Sequence, residues 1–401
     1  MPKKTIDQVD VNGKRVLMRV DFNVPIENGT ITDDRRIRMT LPAIDSVVSR
    51  GGRLVLISHL GRPKGRGYEA DASLAPVAAR LRELRPKLNI GFPSQDCVDE
   101  QAAAAVRALK PGEVVLLENL RFHGGEKNGD TGFAGKLATL GDIYCNDAFG
   151  TAHRPDASMV ALPKAMAGKP RVVGPLLAKE IKYLSEALRG AEHPFVAVLG
   201  GSKVSDKLAA IGNLLAEVDA VLVGGAMAYT FLKALGHRVG SSLVEDNMLG
   251  KAKAIIEEAA NRKTDLVLPV DHVCGRELAR HTPIRVFEEH IDDGWMGLDI
   301  GPSTIGRFGS YIGRARTVVW NGPVGAFEIL PFDIGTRQVA TMIAARTDSG
   351  ALTICGGGDT AAAVELAGVA DRFSHVSTGG GASLELLEGR SFESLAQLDE
   401  A

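Results

Sequence analysis

Short, continuous apolar runs recur along the chain, and most of them end in glycine, asparagine or aspartate. In the first half they are Val16–Val20, Leu54–Ile57, Val114–Leu117 and Ile143–Cys145. In the second they are Phe195–Leu199, Ala220–Val223, Leu266–Pro269, Val318–Trp320 and Leu352–Cys355. Runs of this length without polar alternation predict strands buried on both faces, as in a parallel sheet. Between them lie Ala/Leu-rich stretches of helical length, such as Leu74–Leu84, Leu208–Glu217 and Asn247–Ala260. Strand alternating with helix predicts right-handed βαβ units and an α/β fold built on doubly wound parallel sheets.

The midpoint carries a different signal. Leu176–Arg189 follows Gly174-Pro175, sets Ile181, Leu184 and Leu188 on one helical face, and stops at Gly190. It predicts an interdomain helix, 174–190, between a first domain of residues 1–173 and a second of 191–387. Its ends offer backbone that can absorb a dihedral change, so it is expected to act as a hinge. The 401 residues also exceed the ~250–300 at which single cores stop growing. The tail Ser383–Ala401, with Leu384, Leu386, Leu387, Phe392 and Leu395, is too apolar to hang free.

Composition narrows the class. Apolar residues make up 45%, which excludes a disordered chain. Net charge is −2, but it is uneven: residues 1–170 carry 25 Lys+Arg against 20 Asp+Glu, and 171–401 carry 22 against 29. A basic first half suits an anionic ligand. Cys97, Cys145, Cys274 and Cys355 are far apart, with no CxxC, which argues against a zinc site and a disulfide scaffold and fits the cytoplasm. The opening Met-Pro-Lys-Lys-Thr lacks a secretory apolar region, and no run of ~18 apolar residues exists, so no membrane partner is expected.

The chemistry sits where the apolar runs end, which in an open parallel sheet is where ligands bind. After the first-half runs come Asp21 and Asn23, His59-Leu-Gly-Arg62, and Asn119-Leu-Arg121; Arg36 and His153-Arg154 complete an arginine set. Arginine forks capture phosphate or carboxylate bidentately, and forks from several strand ends can converge on one anion. Asp21 and Asn23 are two apart in an extended segment and could share a hydroxyl-bearing ligand. In the second half Gly200-Gly201-Ser-Lys203 follows a run, with Lys207 one helical turn on, and Cys355-Gly-Gly357-Gly358-Asp359-Thr360 opens an Ala-rich helix. Glycines and a helix N-terminus suit polyphosphate, although no GxxxxGK[ST] is present. Asp359 is the candidate carboxylate for Mg²⁺, with a plain helix N-cap as its other reading.

Taken in order from near residue 5 to near residue 390, these segments resemble the phosphoglycerate kinase family. The resemblance implies two Rossmann-like domains joined by the hinge helix, with the tail from about 388 to 401 returning to the first. It implies reversible phosphoryl transfer between 1,3-bisphosphoglycerate with ADP and 3-phosphoglycerate with ATP, in glycolysis and gluconeogenesis, by a monomer using Mg²⁺. It assigns 3-phosphoglycerate to Asp21, Asn23, Arg36, His59, Arg62, Arg121 and Arg154. The nucleotide falls to Gly200, Gly201, Lys207, Gly224, Gly225, Gly297, Asn321, Pro323, Glu328, Gly357, Gly358, Asp359 and Thr360, with Glu328 on the ribose. Arg36 and Lys203 would stabilise the transferring group. One departure stands out: the family usually has Ala-His after the arginine that Arg154 matches, and this chain has Pro155-Asp156.

Two other readings are weaker. Gly356-x-Gly358-x-x-Ala361 fits a loose dinucleotide fingerprint, but the next run, His375-Val-Ser377, is not followed by the expected acid. A nucleic-acid-binding protein is disfavoured by 5% aromatic residues and the lack of a basic tract.

Overall fold

The structure is a computed structural model that describes residues 2–377 and 379–401, leaving out the side chains of 185–189, Leu188 among them. The chain divides into two compact units: Met1–Ile181 with Ser391–Ala401, and Lys182–Arg390.

The first unit is built on β1 (Arg15–Val20), β2 (Arg53–Ile57), β3 (Ile90–Gly91), β4 (Val114–Leu116), β5 (Ile143–Asp147) and β6 (Arg171–Val173). They form one sheet in the order β3-β4-β2-β1-β5-β6, parallel throughout. All carboxyl ends therefore share one edge, and the loops after β4, β2, β1 and β5 are neighbours along it. Central strands are buried on both faces: every residue of β1 after Arg15 is inaccessible, from Val16 to Val20. Two edge strands escape the sequence pattern because they are only two and three residues long.

The second unit repeats the scheme with β7 (Phe195–Leu199), β8 (Ala220–Val223), β9 (Asp265–Val267), β13 (Thr317–Asn321), β14 (Leu352–Gly356) and β15 (His375–Val376). The order is β9-β8-β7-β13-β14-β15, again parallel. Between β9 and β13 lies an element that the apolar-run rule does not predict. It is an antiparallel sheet, β11-β10-β12, of β10 (Asp271–Gly275), β11 (Ile284–Glu288) and β12 (Met296–Ile300). Of β11 only Phe287 is buried, so its sequence Ile-Arg-Val-Phe-Glu shows no apolar run. Tyr229, Leu232, Val239, Phe287 and Ile291 close a small core beneath it.

The midpoint helix runs Pro175–Arg189, and the division between units falls inside it, between Ile181 and Lys182, rather than at its ends. The reason is local docking. Its first turn is held by the first unit, where the Leu177 amide donates to Asp147 Oδ1 at 3.0 Å, whereas Tyr183 stacks on His375 of the second unit at 4.8 Å. The tail is also split. The helix Gly380–Leu387 stays with the second unit. In the first unit Lys4 N donates to Asp399 O at 2.9 Å, Arg171 Nη2 reaches Asp399 Oδ1 at 2.9 Å, and Phe392 and Leu398 are buried.

Candidate functional site

The loops after β1, β2 and β4, at the carboxyl edge of the first sheet, are locked by buried polar side chains. Ser58 Oγ donates to Val20 O at 2.8 Å and accepts from Phe22 N at 2.9 Å, tying the ends of β1 and β2. Asn119, fully buried, accepts from Arg121 N at 3.0 Å and donates to Leu60 O at 2.7 Å and Ala72 O at 2.8 Å. Glu118 receives Ser73 Oγ and the Leu74 and Asn119 amides, and burial pushes its carboxyl up. These bonds satisfy groups that would otherwise be buried alone, and they fix where the next side chain points.

The outcome is a cleft of about 360 Å³ lined by Asn23, Gly61, Arg62, Arg121, Lys127 and Arg154. Four cations thus face one space. Asn23 Oδ1 accepts from Gly61 N at 2.8 Å, and Arg121 Nη1 donates to Gly61 O at 2.9 Å. Arg121 is 5% exposed and its Nε has no partner among the described residues. Burial, then the neighbouring Arg154, pull its guanidinium down from the usual arginine value, and Asp156 opposes them. Arg62 is exposed and makes no hydrogen bond among the described residues, so its fork is available. Lys127 was not among the sequence candidates; its position six residues after Arg121, in the glycine-led segment Gly124-Gly-Glu-Lys127, is the signal that was there to use.

Asp21, Arg36 and His59 are not among the residues lining that cleft. Asn23 lines the cleft and Asp21 does not. Asp21 turns inward, with Oδ1 accepting from Asn23 N at 3.2 Å and Oδ2 pairing with Arg36 Nη1 at 2.9 Å. Gly150 leaves room for that carboxylate, since a Cβ there would lie 2.5 Å from Asp21 Oδ2. His59 is buried beside Arg19, whose Nη2 meets His59 Nδ1 at 3.0 Å. Arginine can only donate, so Nδ1 accepts and the proton of the neutral ring sits on Nε2. Burial, then Arg19, Arg121, Arg154 and Arg36, hold the imidazole pKa well below its usual value. Arg19 in turn donates to Ser158 Oγ at 3.0 Å, and Ser158 Oγ donates to Glu126 Oε1 at 2.6 Å. His123 belongs elsewhere: its Nε2 meets Asp96 at 3.1 Å and its ring stacks on Phe133. His153 Nε2 lies 3.4 Å from Arg154 Nε.

In the second unit the loops after β8, β7, β13 and β14 are neighbours at the carboxyl edge. They bring Gly224, Gly225, Gly200, Gly201, Asn321, Pro323, Gly357, Gly358, Asp359 and Thr360 together. Most of the glycine amides there are already engaged. Gly200 N donates to Asn321 O, Gly201 N to Pro323 O, Gly224 N to Leu199 O and Gly225 N to Val324 O, at 2.8–3.0 Å. Gly200, Gly224 and Gly225 are required by crowding between loops: a Cβ on Gly225, at φ +68°, would meet Gly201 N and O at 2.6 Å. Thr360 Oγ1 accepts from Gly322 N at 2.7 Å and is buried.

What remains open is the start of the helix Gly358–Leu366. Gly357, at φ +100°, is its N-cap, so Asp359 lies in the first turn and is not the cap. The amides of Gly358 and Asp359 donate to no group among the described residues, and Asp359 is exposed and makes no hydrogen bond there. Asn321 Nδ2 is buried without a partner among the described residues, while its Oδ1 accepts from Lys207 Nζ. Burial lowers Lys207 to about 8, with Asp206, Asp359 and Glu388 opposing. Lys203 and Lys207 are not spaced along a helix: 202–206 is irregular, the helix begins at Leu208 with Lys207 as cap, and Lys203 is exposed. Gly297 stands in β12, where its amide donates to Ser242 Oγ at 2.9 Å and its missing side chain makes room for the Tyr229 ring. Glu328 is exposed. Buried Asp299, pushed well up by burial, accepts from Gly335 N at 2.7 Å and Ile300 N at 2.9 Å, and so anchors the loop after β13.

Comparison with known proteins gives a consistent result. The family model for phosphoglycerate kinase matches residues 6–390. The chain is 55% identical to the phosphoglycerate kinase of Rhodopirellula baltica over 405 residues, covering 100% of both, and 50% identical to that of Thermosipho africanus, covering 99% and 98%. Among solved structures it is similar to phosphoglycerate kinase from Coxiella burnetii (TM-score 0.88, 40% identity, 99% and 98% covered) and from Pyrococcus horikoshii (0.81, 31%, 98% of each).

Proposed function

This chain belongs to the phosphoglycerate kinase family, and from that premise we propose how its own residues carry the reversible phosphoryl transfer between 1,3-bisphosphoglycerate/ADP and 3-phosphoglycerate/ATP. The first unit binds 3-phosphoglycerate. The observation that carries this reading is the convergence of Arg62, Arg121, Lys127 and Arg154 with Asn23 on one cleft. The forks of Arg62, Arg121 and Arg154 take the phosphate. Neutral His59 can only donate from Nε2, so it orients ligand oxygen and does not act as an acid or base. Asp21 holds Arg36 in position and repels a second anion.

The second unit binds the nucleotide. The amides at Gly358 and Asp359 and the Asn321 Nδ2, all without a partner among the described residues, together with the N-terminal potential of that helix, support polyphosphate there, with Lys207 as the adjacent cation. Mg²⁺ fits at Asp359, an unengaged carboxylate beside those phosphates, and would supply charge neutralisation. Gly224, Gly225, Gly297, Pro323 and Glu328 are proposed on the adenosine side, with Gly200, Gly224, Gly225 and Gly297 acting by leaving space, Gly201 by its φ of +112°, and none of the five as an amide donor to the ligand.

The reaction needs no base. In one direction a β-phosphate oxygen of ADP forms a bond to phosphorus and the bond to the acyl oxygen breaks, releasing a carboxylate; in the other the carboxylate attacks. Both nucleophiles are already ionised, so catalysis is positioning and charge stabilisation, assigned to Arg36 and Lys203. Each ligand is bound by one unit, so we propose closure about the helix Pro175–Arg189 when both are present, in a monomer. Small-angle scattering should give a smaller radius of gyration with both ligands than with either; equal radii in an active sample reject closure. A cytoplasmic setting is proposed on the burial of all four cysteines and on the cytosolic relative from Trypanosoma congolense. Among the described residues no helix is long and apolar enough to cross a membrane.

The decisive experiment is steady-state kinetics of Arg62→Ala. Arg62 supports no other side chain, so the fold should hold. The KM for 3-phosphoglycerate should rise while that for MgATP stays within about twofold. Equal effects on both substrates would mean that the two sites are misassigned.

A further inference from the structure

Asp156 stands where the family usually has a histidine, and its placement is unusual for an anion site. Its side chain is 7% exposed and Oδ2 lies 3.6 Å from Arg121 Nη2, too far for a hydrogen bond; that oxygen has no hydrogen-bond partner among the described residues. Arg121 does not need Asp156 to hold its position, because Nη1 is anchored on Gly61 O at 2.9 Å. Glu126, fully buried in the same layer, is already committed to Ser158 through N at 3.0 Å and Oγ at 2.6 Å. Asp156 therefore contributes charge without geometry. It places one negative charge beside Arg121, one of the four cations that line the cleft.

We propose that Asp156 is an internal counter-ion that sets the anion affinity of this cleft. It weakens the binding of any phosphate-like anion at Arg121, so that free anions do not occupy the site and the phosphorylated ligand leaves readily. This rests on the cleft being the 3-phosphoglycerate site. A carboxylate within ~6 Å of a bound anion, at the effective dielectric of a partly buried site, opposes binding strongly enough to read as several-fold or more in affinity.

The test is titration calorimetry with sodium sulfate and with 3-phosphoglycerate on the full chain, its Asp156→Asn variant and an Arg121→Ala variant, at fixed ionic strength. Asparagine keeps shape and loses charge. The Asp156→Asn variant should bind sulfate and 3-phosphoglycerate at least roughly fivefold more tightly, and its KM for 3-phosphoglycerate should fall while that for MgATP holds. Unchanged or weaker binding by a folded Asp156→Asn protein, with Arg121→Ala weakening it as expected, overturns the role of Asp156 alone. If Arg121→Ala also leaves both anions unaffected, the site assignment itself fails. Should Asp156→Asn not fold, Asp156→Ser supplies the same neutralisation with a smaller side chain. A change in melting temperature without a change in anion affinity would mark Asp156 as merely structural.

Discussion

Lys207 offers a direct link between burial and nucleotide affinity. Its side chain is partly buried, its pKa is lowered to about 8 by that burial, and its hydrogen-bond partner is the Asn321 carboxamide, which brings no compensating charge. Polyphosphate beside it would favour the charged form and raise that pKa, so binding should draw in a proton. The sign follows. With a free-state pKa of about 8 and a much higher bound value, Lys207 is ready-charged below about pH 7, and each step above pH 8 costs affinity. Between about pH 7 and about pH 9 the protonated fraction of the free protein falls roughly tenfold, and nucleotide affinity should fall with it. The nucleotide's own phosphates do not mask this, because they are fully ionised above about pH 8. Calorimetry of ADP binding near pH 8, in buffers of different ionisation enthalpy, should show uptake of roughly half a proton. Lys207→Arg keeps the charge and should flatten the profile, since arginine stays protonated. A pH-independent affinity in the unsubstituted protein, or the same slope in Lys207→Arg, would refute the reasoning.

Other expectations concern charge at single positions. Lys203→Met removes an exposed cation, so its melting temperature should stay within a few kelvin while turnover falls roughly 10²–10³-fold; near-normal turnover would remove Lys203 from the transition-state role. Asp147 is buried and pushed up to about 7 by desolvation, with the Leu177 amide opposing. Its folded-state pKa exceeds the unfolded value, so its stabilising protonation is complete at acid pH and lost as pH rises through about 7. Asp147→Asn keeps the bond from Leu177 and cannot ionise, so it should match the unsubstituted protein near pH 4 and exceed it near pH 8, by up to about 4 kcal/mol in chemical denaturation. A pH-independent difference would deny the buried ionisation.

The strands legible in the sequence are those buried on both faces, because double burial removes polar residues from the run. Val16–Val20 and Phe195–Leu199 needed no other clue. The sheet of β10, β11 and β12 was illegible for the opposite reason: one face meets water, Val286 is 49% exposed, and charged residues interrupt every strand. Among site residues, Arg62 and Arg121 were legible because each directly follows a strand. Arg19 was not read as part of the site. It lies inside a strand, where its side chain is fully buried and satisfied by Ser158, Val20 and His59, and only the fold brings residues 19, 59 and 158 together.

The glycine segments teach a separate point about such motifs. A glycine after a strand reads as an open amide for phosphate, yet the amides of Gly200, Gly201, Gly224 and Gly225 donate to neighbouring strand ends and loops; at Gly200, Gly224 and Gly225 the absent Cβ is what those contacts require, whereas Gly201 answers to its φ of +112°. Parallel strands end side by side about 4.8 Å apart, so the loops leaving them crowd before any ligand arrives. Glycine at a strand end can thus be selected by loop packing alone. The sequence cannot separate the two demands, because both call for the same residue at the same place. They separate only when the amides are followed one by one. Among the described residues, that leaves the first turn of Gly358–Leu366 with backbone donors standing open, beside an unengaged carboxylate at Asp359 and a partnerless amide at Asn321, and it is there that substitution should affect nucleotide binding before it affects folding.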